Sequence, residues 1–364
     1  MLSRKFLLAL TCSGALAIGV AACGDSGSDS TTSGGGGGGT DLSGEIAGAG
    51  ASSQEAAMEA WIAGVTDASP DVSIAYDPVG SGGGREQFNA GGVVFAGTDS
   101  AFADDELTAA QKVCEPGEFI QVPVYVSPIA IAYNLEGVDD LQLSAETLAS
   151  IFAQKITKWN DPAIAKDNPD ADLPDTDITP VNRSDDSGTT NNFTQYLSAT
   201  APDVWTFEPD DAFPVKGGEA ADGTSGVVEA IGAGDGTIGY ADDSQVGDLS
   251  VASIQIGKEY VAPSPEGAAK LVESAKDTDP SKTVFSYELN RTTTDPSEYP
   301  ITLVSSQAAC TQYDDENDAA LVKALMSYIV SPDGQKAAAE NAGSAPLSDA
   351  VTKQVEPIVD SIGS

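Results

Sequence analysis

The chain has 364 residues, 41% hydrophobic and 20% charged, which is enough to bury a large core and suggests two domains or lobes. Its formal net charge of −39 argues against nucleic acid or an anionic lipid surface as a partner, and any anion it binds must be held by local donors. The chain contains no histidine, which excludes serine–histidine and cysteine–histidine catalysis and histidine-based zinc sites.

The first 23 residues have the order of an export signal. Arg4 and Lys5 precede an apolar run, residues 6–20, that is short for a membrane span. The residues before Gly24 resemble a bacterial lipobox, which predicts cleavage before Cys23 and lipid attachment to its sulfur. The alternative is an ordinary signal peptide with a chance cysteine.

Residues 24–43 are dominated by glycine, serine, threonine and aspartate, and they predict a flexible linker. Its core of sixteen residues would reach about 20–25 Å from an anchor. The folded part should therefore begin near residue 44.

Cys12 is removed with the signal, and Cys23 is the predicted anchor. Two cysteines therefore remain in the folded part. A pair in an exported protein predicts one disulfide, between Cys114 and Cys310. Closing so long a loop should stabilise the fold by about 4–5 kcal/mol in the chain-entropy model.

The folded part opens with a glycine-rich stretch, residues 48–51. Ser52 and Glu55 have the spacing of a capping box, which predicts a helix to about Val65. A strand is expected over residues 72–76. The glycine-serine stretch 79–84 then predicts a loop leading into a short helix, 85–89; it lacks the Gly-Lys-Ser/Thr ending of a Walker A loop.

Asp99 follows a short apolar strand, residues 93–97. Ligands bind at the carboxyl edge of open α/β sheets, so this carboxylate is a candidate site residue. A helix N-cap is the alternative role for an isolated aspartate.

The remaining pattern alternates strands and helices, which predicts an α/β fold. Trp61, Trp159 and Tyr240 are expected in the core. The further predicted strands are 119–127, 129–134, 178–181, 237–241 and 301–305, and the further predicted helices are 144–153, 226–231, 265–275 and 318–330.

Residues 183–190, Arg-Ser-Asp-Asp-Ser-Gly-Thr-Thr, precede a predicted helix, 191–197. Glycine and small hydroxyl residues at a helix start leave outward N–H groups, where the helix dipole favours negative charge. Arg183, one of only four arginines, adds a planar set of donors suited to an oxyanion. The stretch therefore predicts an anion clamp, with an ordinary N-capped loop as the alternative.

Taken together, these segments resemble the PstS family, the phosphate-binding proteins of bacterial phosphate ABC transporters. Four ligand segments match in order and spacing, and two further stretches extend the resemblance over residues 44–305. The matching segments are residues 48–51, 80–83, 95–99 and 183–189, followed by 151–162 and 236–240.

The resemblance implies a two-lobed periplasmic binding protein-like fold in which two crossing strands act as a hinge. The chain would cross near Ser127 and return near Tyr299. Lobe I would then hold residues 44–126 and 298–364, and lobe II residues 127–297. Both cysteines of the predicted disulfide fall in lobe I.

By matching position, the resemblance implies a set of phosphate-binding residues, with Asp185 orienting Arg183. Ser52-Ser53-Gln54 replaces the family's usual Thr-Phe-Pro, so only the backbone role of Ser53 is carried over. Asp186 replaces a common glycine, which is tolerable if its side chain points to water. The implied binding residues are Ser52, Ser53, Ser81, Asp99, Arg183, Ser187, Gly188 and Thr189.

Asp99 has a specific expected role. Phosphate near neutral pH carries at least one P–OH group, whereas sulfate is fully deprotonated. A buried carboxylate accepts a hydrogen bond from phosphate and repels sulfate, and sites built around such a bond reject a ligand lacking it by about 10⁴–10⁵-fold.

The expected protein is a monomeric phosphate receptor, lipid-anchored to the outer face of the bacterial cell membrane, that delivers phosphate to an ABC permease. It is expected not to be an enzyme and to need no cofactor or metal. The alternatives are a receptor for sulfate or molybdate, a secreted phosphate-ester hydrolase, or an added sensing or adhesion role.

Overall fold

The computed structural model describes residues 42–277 and 283–364. The predicted signal, the anchor Cys23 and the linker up to residue 41 lie outside the described residues. Within the described part, the chain forms a mixed α/β fold, as the alternating pattern predicts.

Fourteen strands are present in the described residues. They are β1 Gly44–Gly50, β2 Val72–Asp77, β3 Phe95–Thr98, β4 Phe119–Asn134, β5 Gln142–Leu143, β6 Thr179–Arg183, β7 Glu219–Ala221, β8 Thr237–Asp242, β9 Ser250–Val251, β10 Ser253–Ile256, β11 Glu259–Val261, β12 Lys276–Asp277, β13 Tyr287–Glu288 and β14 Thr302–Cys310.

Eleven α-helices accompany these strands in the same part of the chain, with 3₁₀ turns at Ser52–Gln54 and Asp243–Gln245. The helices are α1 Glu55–Ala68, α2 Gly80–Asn89, α3 Asp104–Val113, α4 Ala145–Phe152, α5 Pro162–Asp167, α6 Gly188–Thr200, α7 Gly223–Ala233, α8 Pro265–Glu273, α9 Glu316–Val330, α10 Pro332–Ala342 and α11 Asp349–Asp360.

A nine-stranded sheet organises the molecule in the order β2-β1-β3-β14-β4-β8-β6-β7, with β9 also pairing β4. Strands β2, β1 and β3 run parallel at one end, and β8, β6 and β7 run parallel at the other. The antiparallel strands β14 and β4 join the two sets. Each parallel set therefore has its own carboxyl edge, where loops and helix starts gather.

Strand β4 belongs to both halves of the sheet and corrects the prediction of two separate strands. Pro128 pairs with Thr302 of β14, and the next residue, Ile129, pairs with Asp242 of β8. Pro128 lies where β4 changes its partner from β14 to β8. Its missing N–H therefore falls at the end of one pairing and does not break the hydrogen bonds within it. The predicted lobe boundaries beside this strand, at 126/127 and 297/298, stay predictions.

The glycine-rich stretches are more regular than predicted. Residues 44–50 form β1, although no strand was predicted there. The strand can form because its glycines allow close approach to β3. A Cβ on Gly48 would lie 2.2 Å from the Phe95 ring, and Gly50, with φ of +146°, would clash with Gly97. The loop predicted over 79–84 is wrong, since α2 begins at Gly80.

The capping box predicted from Ser52 and Glu55 is also absent: no side chain caps α1, which is entered through the 3₁₀ turn at Ser52–Gln54. Helices α3, α5, α10 and α11 were not predicted. Strand β14 extends five residues beyond the predicted end, carrying buried polar side chains through the sheet.

The predicted core positions of three aromatic residues are confirmed. Trp61, Trp159 and Tyr240 are all at most 1% exposed. The disulfide is also confirmed: Cys114, which directly follows α3, bonds Cys310, the last residue of β14, across a Cα–Cα distance of 5.1 Å. In residues 42–277 and 283–364, no helix has both the length and the apolar character required to cross a bilayer.

Candidate anion-binding site

Several helix starts converge beside the end of β3. The 3₁₀ turn leading into α1 follows β1, helix α2 follows β2 after two residues, and α6 follows β6. The N-terminal N–H groups of such turns have no acceptor within the helix, and the helix dipole adds partial positive charge. Asp99, directly after β3, lies among these helix starts.

Asp99 is bonded by three of the predicted site residues. Its Oδ1 accepts from the Ser53 hydroxyl at 2.7 Å, and its Oδ2 accepts from the Thr189 hydroxyl at 3.2 Å. Its backbone N–H donates to the Ser81 hydroxyl at 3.1 Å. The structure thus brings together residues separated by up to 136 positions in the sequence, from Ser53 to Thr189.

Gly188 allows α6 to approach this carboxylate. A Cβ at Gly188 would lie 2.5 Å from the Asp99 Cβ and 2.8 Å from the Ser81 hydroxyl, so a larger residue would push the two segments apart. The Gly82 N–H donates to the Asp186 carbonyl at 3.0 Å and ties the start of α2 to the clamp. The side chain of Asp186 is exposed, which meets the condition set for a carboxylate at this position.

The first turn of α6 leaves two unpaired backbone donors. Ser187 is the N-cap: its hydroxyl accepts from the Thr190 N–H at 3.2 Å, and its own N–H donates to the Asp211 carbonyl at 3.0 Å. Gly188 and Thr189 are the first helical residues, so their N–H groups lack intrahelical acceptors. These two N–H groups are the backbone donors that the clamp can offer an anion.

Arg183 ends β6 and is only 3% exposed. Its Nε donates to Asp185 Oδ1 at 2.7 Å, and its Nη2 forms a second bond with Asp185 Oδ2. Asp185 Oδ1 also accepts from the Gly223 N–H. Among the described residues, Arg183 Nη1 has no hydrogen-bond partner, so the fixed guanidinium keeps one nitrogen available for a ligand.

Ser52 lies in the same region but its hydroxyl is committed elsewhere. It bonds the Thr224 hydroxyl at 3.0 Å and accepts from the Thr224 N–H at 3.1 Å. Gln245 donates to the Ser52 carbonyl at 2.8 Å. These contacts leave the backbone N–H, rather than the hydroxyl, as the group that Ser52 can offer a ligand.

Two opposing effects set the charge of Asp99. Asp99 is half-buried, and desolvation by the surrounding protein raises the pKa of its carboxyl above the ordinary value. Hydrogen bonds from Ser305 and Ser53, the positive charge of Arg183 and the bond from Thr189 act in the opposite direction and lower the pKa. The site therefore contains a half-buried carboxylate whose ionised form depends on surrounding donors.

Several residues that complete the site were not predicted from the sequence. Ser305 on β14 donates to Asp99 Oδ1, and Gln54 and Gln307 continue that contact into the core. A run of polar residues within a buried strand was the available signal. The hydroxyl of Ser53 also contacts Asp99, although the resemblance carried over only its backbone role.

Arg85 and Asp211 form a second missed contact. Arg85 is 6% exposed, and its Nη2 lies 2.8 Å from Asp211 Oδ2, while its Nε lies 2.9 Å from Glu106 Oε2. Ser100 bonds both members of the pair. Since Asp211 also accepts the Ser187 N–H, this pair links α2 to the start of α6.

The donors gathered around Asp99, from Ser53, Ser81, Arg183, Gly188 and Thr189, are called the anion cluster below. A cleft of about 640 Å³ lies beside it. Asp99 and Asp186 line it, together with Arg85, Asp211 and Arg291. The other predicted binding residues do not, so Asp99 is the point at which cleft and cluster meet. No group of three or more histidine, cysteine or acidic side chains in the described residues could hold a metal ion.

Comparison with known proteins identifies the family of the chain. A family model described as a PBP superfamily domain matches residues 30–333. The phosphate-binding protein PstS 3 of Mycobacterium tuberculosis (strain ATCC 25618 / H37Rv) is 33% identical over 327 residues, covering 86% of this chain and 85% of that protein. PstS 2 of the same strain is 32% identical over 326 residues, covering 87% of each.

Solved structures show the same fold. A high-affinity periplasmic phosphate-binding protein, PfluDING, solved with bound phosphate, is 24% identical with a TM-score of 0.70, covering 86% of this chain and 93% of that one. A phosphate-binding protein from Stenotrophomonas maltophilia is 21% identical with a TM-score of 0.65 and the same coverage. The chain therefore belongs to the PstS family within the PBP superfamily and has the two-lobed fold of periplasmic binding proteins.

Proposed function

We propose that this protein is an exported receptor that binds inorganic phosphate at the helix starts around Asp99 and delivers it to a membrane permease. The observation that carries the proposal is a half-buried carboxylate, Asp99, surrounded by donors at the edge of the cleft. The names of the relatives, which are phosphate-binding proteins, support the same ligand.

Phosphate would be held by groups that the fold keeps unpaired. The N–H groups of Gly188 and Thr189, the Arg183 Nη1 and the hydroxyl of Ser81 supply hydrogen-bond donors. Ser52 and Ser53 add backbone N–H groups at the edge of this cluster, and Ser187 adds its hydroxyl. Fixed donors of this kind offset the repulsion that a net charge of −39 exerts on an incoming anion.

Asp99 would select phosphate among oxyanions. Its Oδ1 is occupied by hydroxyl donors from Ser53 and Ser305, while its Oδ2 has the longer, 3.2 Å bond from Thr189. Oδ2 is therefore the oxygen placed to accept the P–OH proton. Sulfate has no such proton and would meet the carboxylate as a like charge.

Delivery would use the two-lobed fold and the anchor. Closure about the crossing strands β4 and β14 would bury phosphate, and reopening at a permease would release it. A lipid on Cys23 and the linker 24–43 would keep the receptor, a monomer, at the outer face of the membrane. Replacing Cys23 with Ser should release the protein from membranes, and unchanged detergent partitioning would rule the anchor out.

The competing functions make different predictions. A phosphate-ester hydrolase is disfavoured because the chain has no histidine and its described residues contain no metal-binding group. Turnover of a chromogenic phosphate ester, abolished by a chelator, would favour it instead. A sulfate or molybdate receptor would need a donor, rather than a carboxylate, at position 99.

Calorimetric titration of the folded domain tests the proposal. Phosphate should bind one site, and arsenate, which is also protonated near neutral pH, should bind the same site. Sulfate should be weaker than phosphate by about 10⁴-fold or more. Equal affinities for phosphate and sulfate, or absence of phosphate binding, would refute it.

A further inference from the structure

A chain of buried side chains extends from the core to Asp99. Gln307 Nε2 lies 2.5 Å from Gln54 Oε1, and Gln54 Nε2 lies 2.5 Å from the Ser305 hydroxyl. The Ser305 hydroxyl then bonds Asp99 Oδ1. Gln54, Ser305 and Gln307 are each 0% exposed, so water does not reach this chain of contacts.

The donors in this chain point towards Asp99. Gln54 Nε2 also contacts the Ser306 carbonyl at 3.0 Å, and only the NH₂ end of an amide satisfies a carbonyl. That contact fixes the Gln54 oxygen towards Gln307 and its NH₂ group towards Ser305. The Ser305 oxygen therefore accepts from Gln54.

A serine hydroxyl has a single proton to donate. The possible acceptors of the Ser305 proton are Asp99 Oδ1 and, at 3.3 Å, the Thr98 carbonyl. The contact with Asp99 is shorter and ends on a charged oxygen, and such bonds are stronger than those to neutral acceptors. The proton of Ser305 is therefore directed to Asp99.

We propose that Gln54, Ser305 and Gln307 form a relay that keeps Asp99 anionic and oriented, and that these residues set the selectivity of the site for protonated oxyanions. The inference rests on the proposed function, because it assigns a role within phosphate recognition. Gln54 and Ser305 are positioning and specificity-determining residues that act through Asp99. Gln307 fixes Gln54.

Two further observations support this role. The Ser305 hydrogen bond is the largest of the effects that lower the pKa of Asp99 against the raising effect of burial. Gln54 also occupies a position where the resemblance to the family pattern fails, since proline is expected there. A proline side chain has no donor, so the relay depends on a residue that departs from the family's usual pattern.

The test compares Ser305→Ala with Ser306→Ala in the mature protein. Each variant is titrated with phosphate and with sulfate from about pH 5 to pH 8. Ser306 is a neighbouring buried serine on β14. Its carbonyl accepts from Gln54 but its side chain lies outside the relay, so Ser306→Ala, which keeps the carbonyl, is a matched control. Loss of the Ser305 donor raises the pKa of Asp99, so more of the carboxyl is protonated at a given pH.

In Ser305→Ala, the loss of phosphate affinity on acidification should move to higher pH. Where the pH lies below the pKa of Asp99, the phosphate-to-sulfate affinity ratio should fall about tenfold for each unit by which the substitution raises that pKa. Ser306→Ala should match the wild type. The ionisation of phosphate itself is common to all the proteins and cancels in the comparison.

Gln54→Met provides a second variant of similar size and keeps the test decisive if Ser305→Ala does not fold. It should change the same two quantities in the same direction, by a smaller amount, while the melting temperature is recorded separately. An unchanged ratio and pH profile in a folded variant would overturn the relay. Absence of phosphate preference in the wild type would instead refute the proposed function.

Discussion

Replacing Asp99 with Asn tests the selectivity mechanism because it removes a charge with little change in size. The hydroxyls of Ser53 and Ser305 both donate to Oδ1, so they should hold the amide oxygen of the variant at that position. The NH₂ group would then occupy the place of Oδ2, where the Thr189 hydroxyl can turn to accept from it. The variant should present a donor to the ligand instead of an acceptor.

The expected magnitude follows from this exchange. Phosphate should still bind but lose a charge-assisted hydrogen bond, worth about 1.5–3 kcal/mol or roughly 10- to 100-fold in affinity. Sulfate should gain, because a like charge about 4 Å away costs ~4 kcal/mol at the effective dielectric of a protein. The two changes together should lower the phosphate-to-sulfate ratio by about 10³-fold or more.

The assay is calorimetric titration of both anions against wild type, Asp99→Asn and the control Asp186→Asn. The control removes the same charge from an exposed side chain in the clamp. Its affinity ratio should stay close to that of the wild type. If Asp99→Asn also leaves the ratio unchanged, Asp99 is a structural cap and the reasoning is refuted.

Three further predictions concern the clamp, the disulfide and a buried acid. Arg183→Ala should weaken phosphate binding by about 2–5 kcal/mol. Lys158→Ala should not, because the Lys158 side chain, which is 43% exposed, is paired with acidic side chains outside the clamp. Equal losses of affinity in the two variants would place the site elsewhere. Reduction of Cys114–Cys310 should lower the free energy of unfolding by about 4–5 kcal/mol in denaturant titrations, and alkylation of two thiols in unreduced, unfolded protein would contradict the bond. Burial raises the pKa of Asp242 to about 7 from 3.8, so its stabilising contribution is complete below about pH 4 and is lost as the pH rises through 7. Asp242→Asn should therefore remove about 3 kcal/mol of the decline in unfolding free energy between pH 5 and pH 8, and an unchanged decline would contradict this assignment.

The anion cluster could be anticipated from sequence because its donors come from local motifs. A helix start such as that at Ser187 carries its own cap and its own unpaired N–H groups, whatever the rest of the chain does. Asp99 was identifiable for a similar reason, since a short buried strand ends directly before it. The disulfide followed from the small number of cysteines.

The relay could not be anticipated because its contacts depend on strand pairing. Gln54 and Ser305 are 251 positions apart. They meet because β1, which precedes Gln54, pairs with β3, and β3 pairs with β14 with Thr98 opposite Ser306. Arg85 and Asp211, 126 positions apart, depend in the same way on the packing of α2 against the loop before β7. Long-range register of this kind leaves no periodic signal in a single sequence.

A crystal structure of the domain with phosphate would test the central claim most directly. We expect phosphate within hydrogen-bonding distance of the Gly188 and Thr189 N–H groups and Arg183 Nη1, with one phosphate oxygen close to Asp99 Oδ2. Phosphate bound instead in the adjoining cleft near Arg291, with no density among the helix starts, would contradict this account.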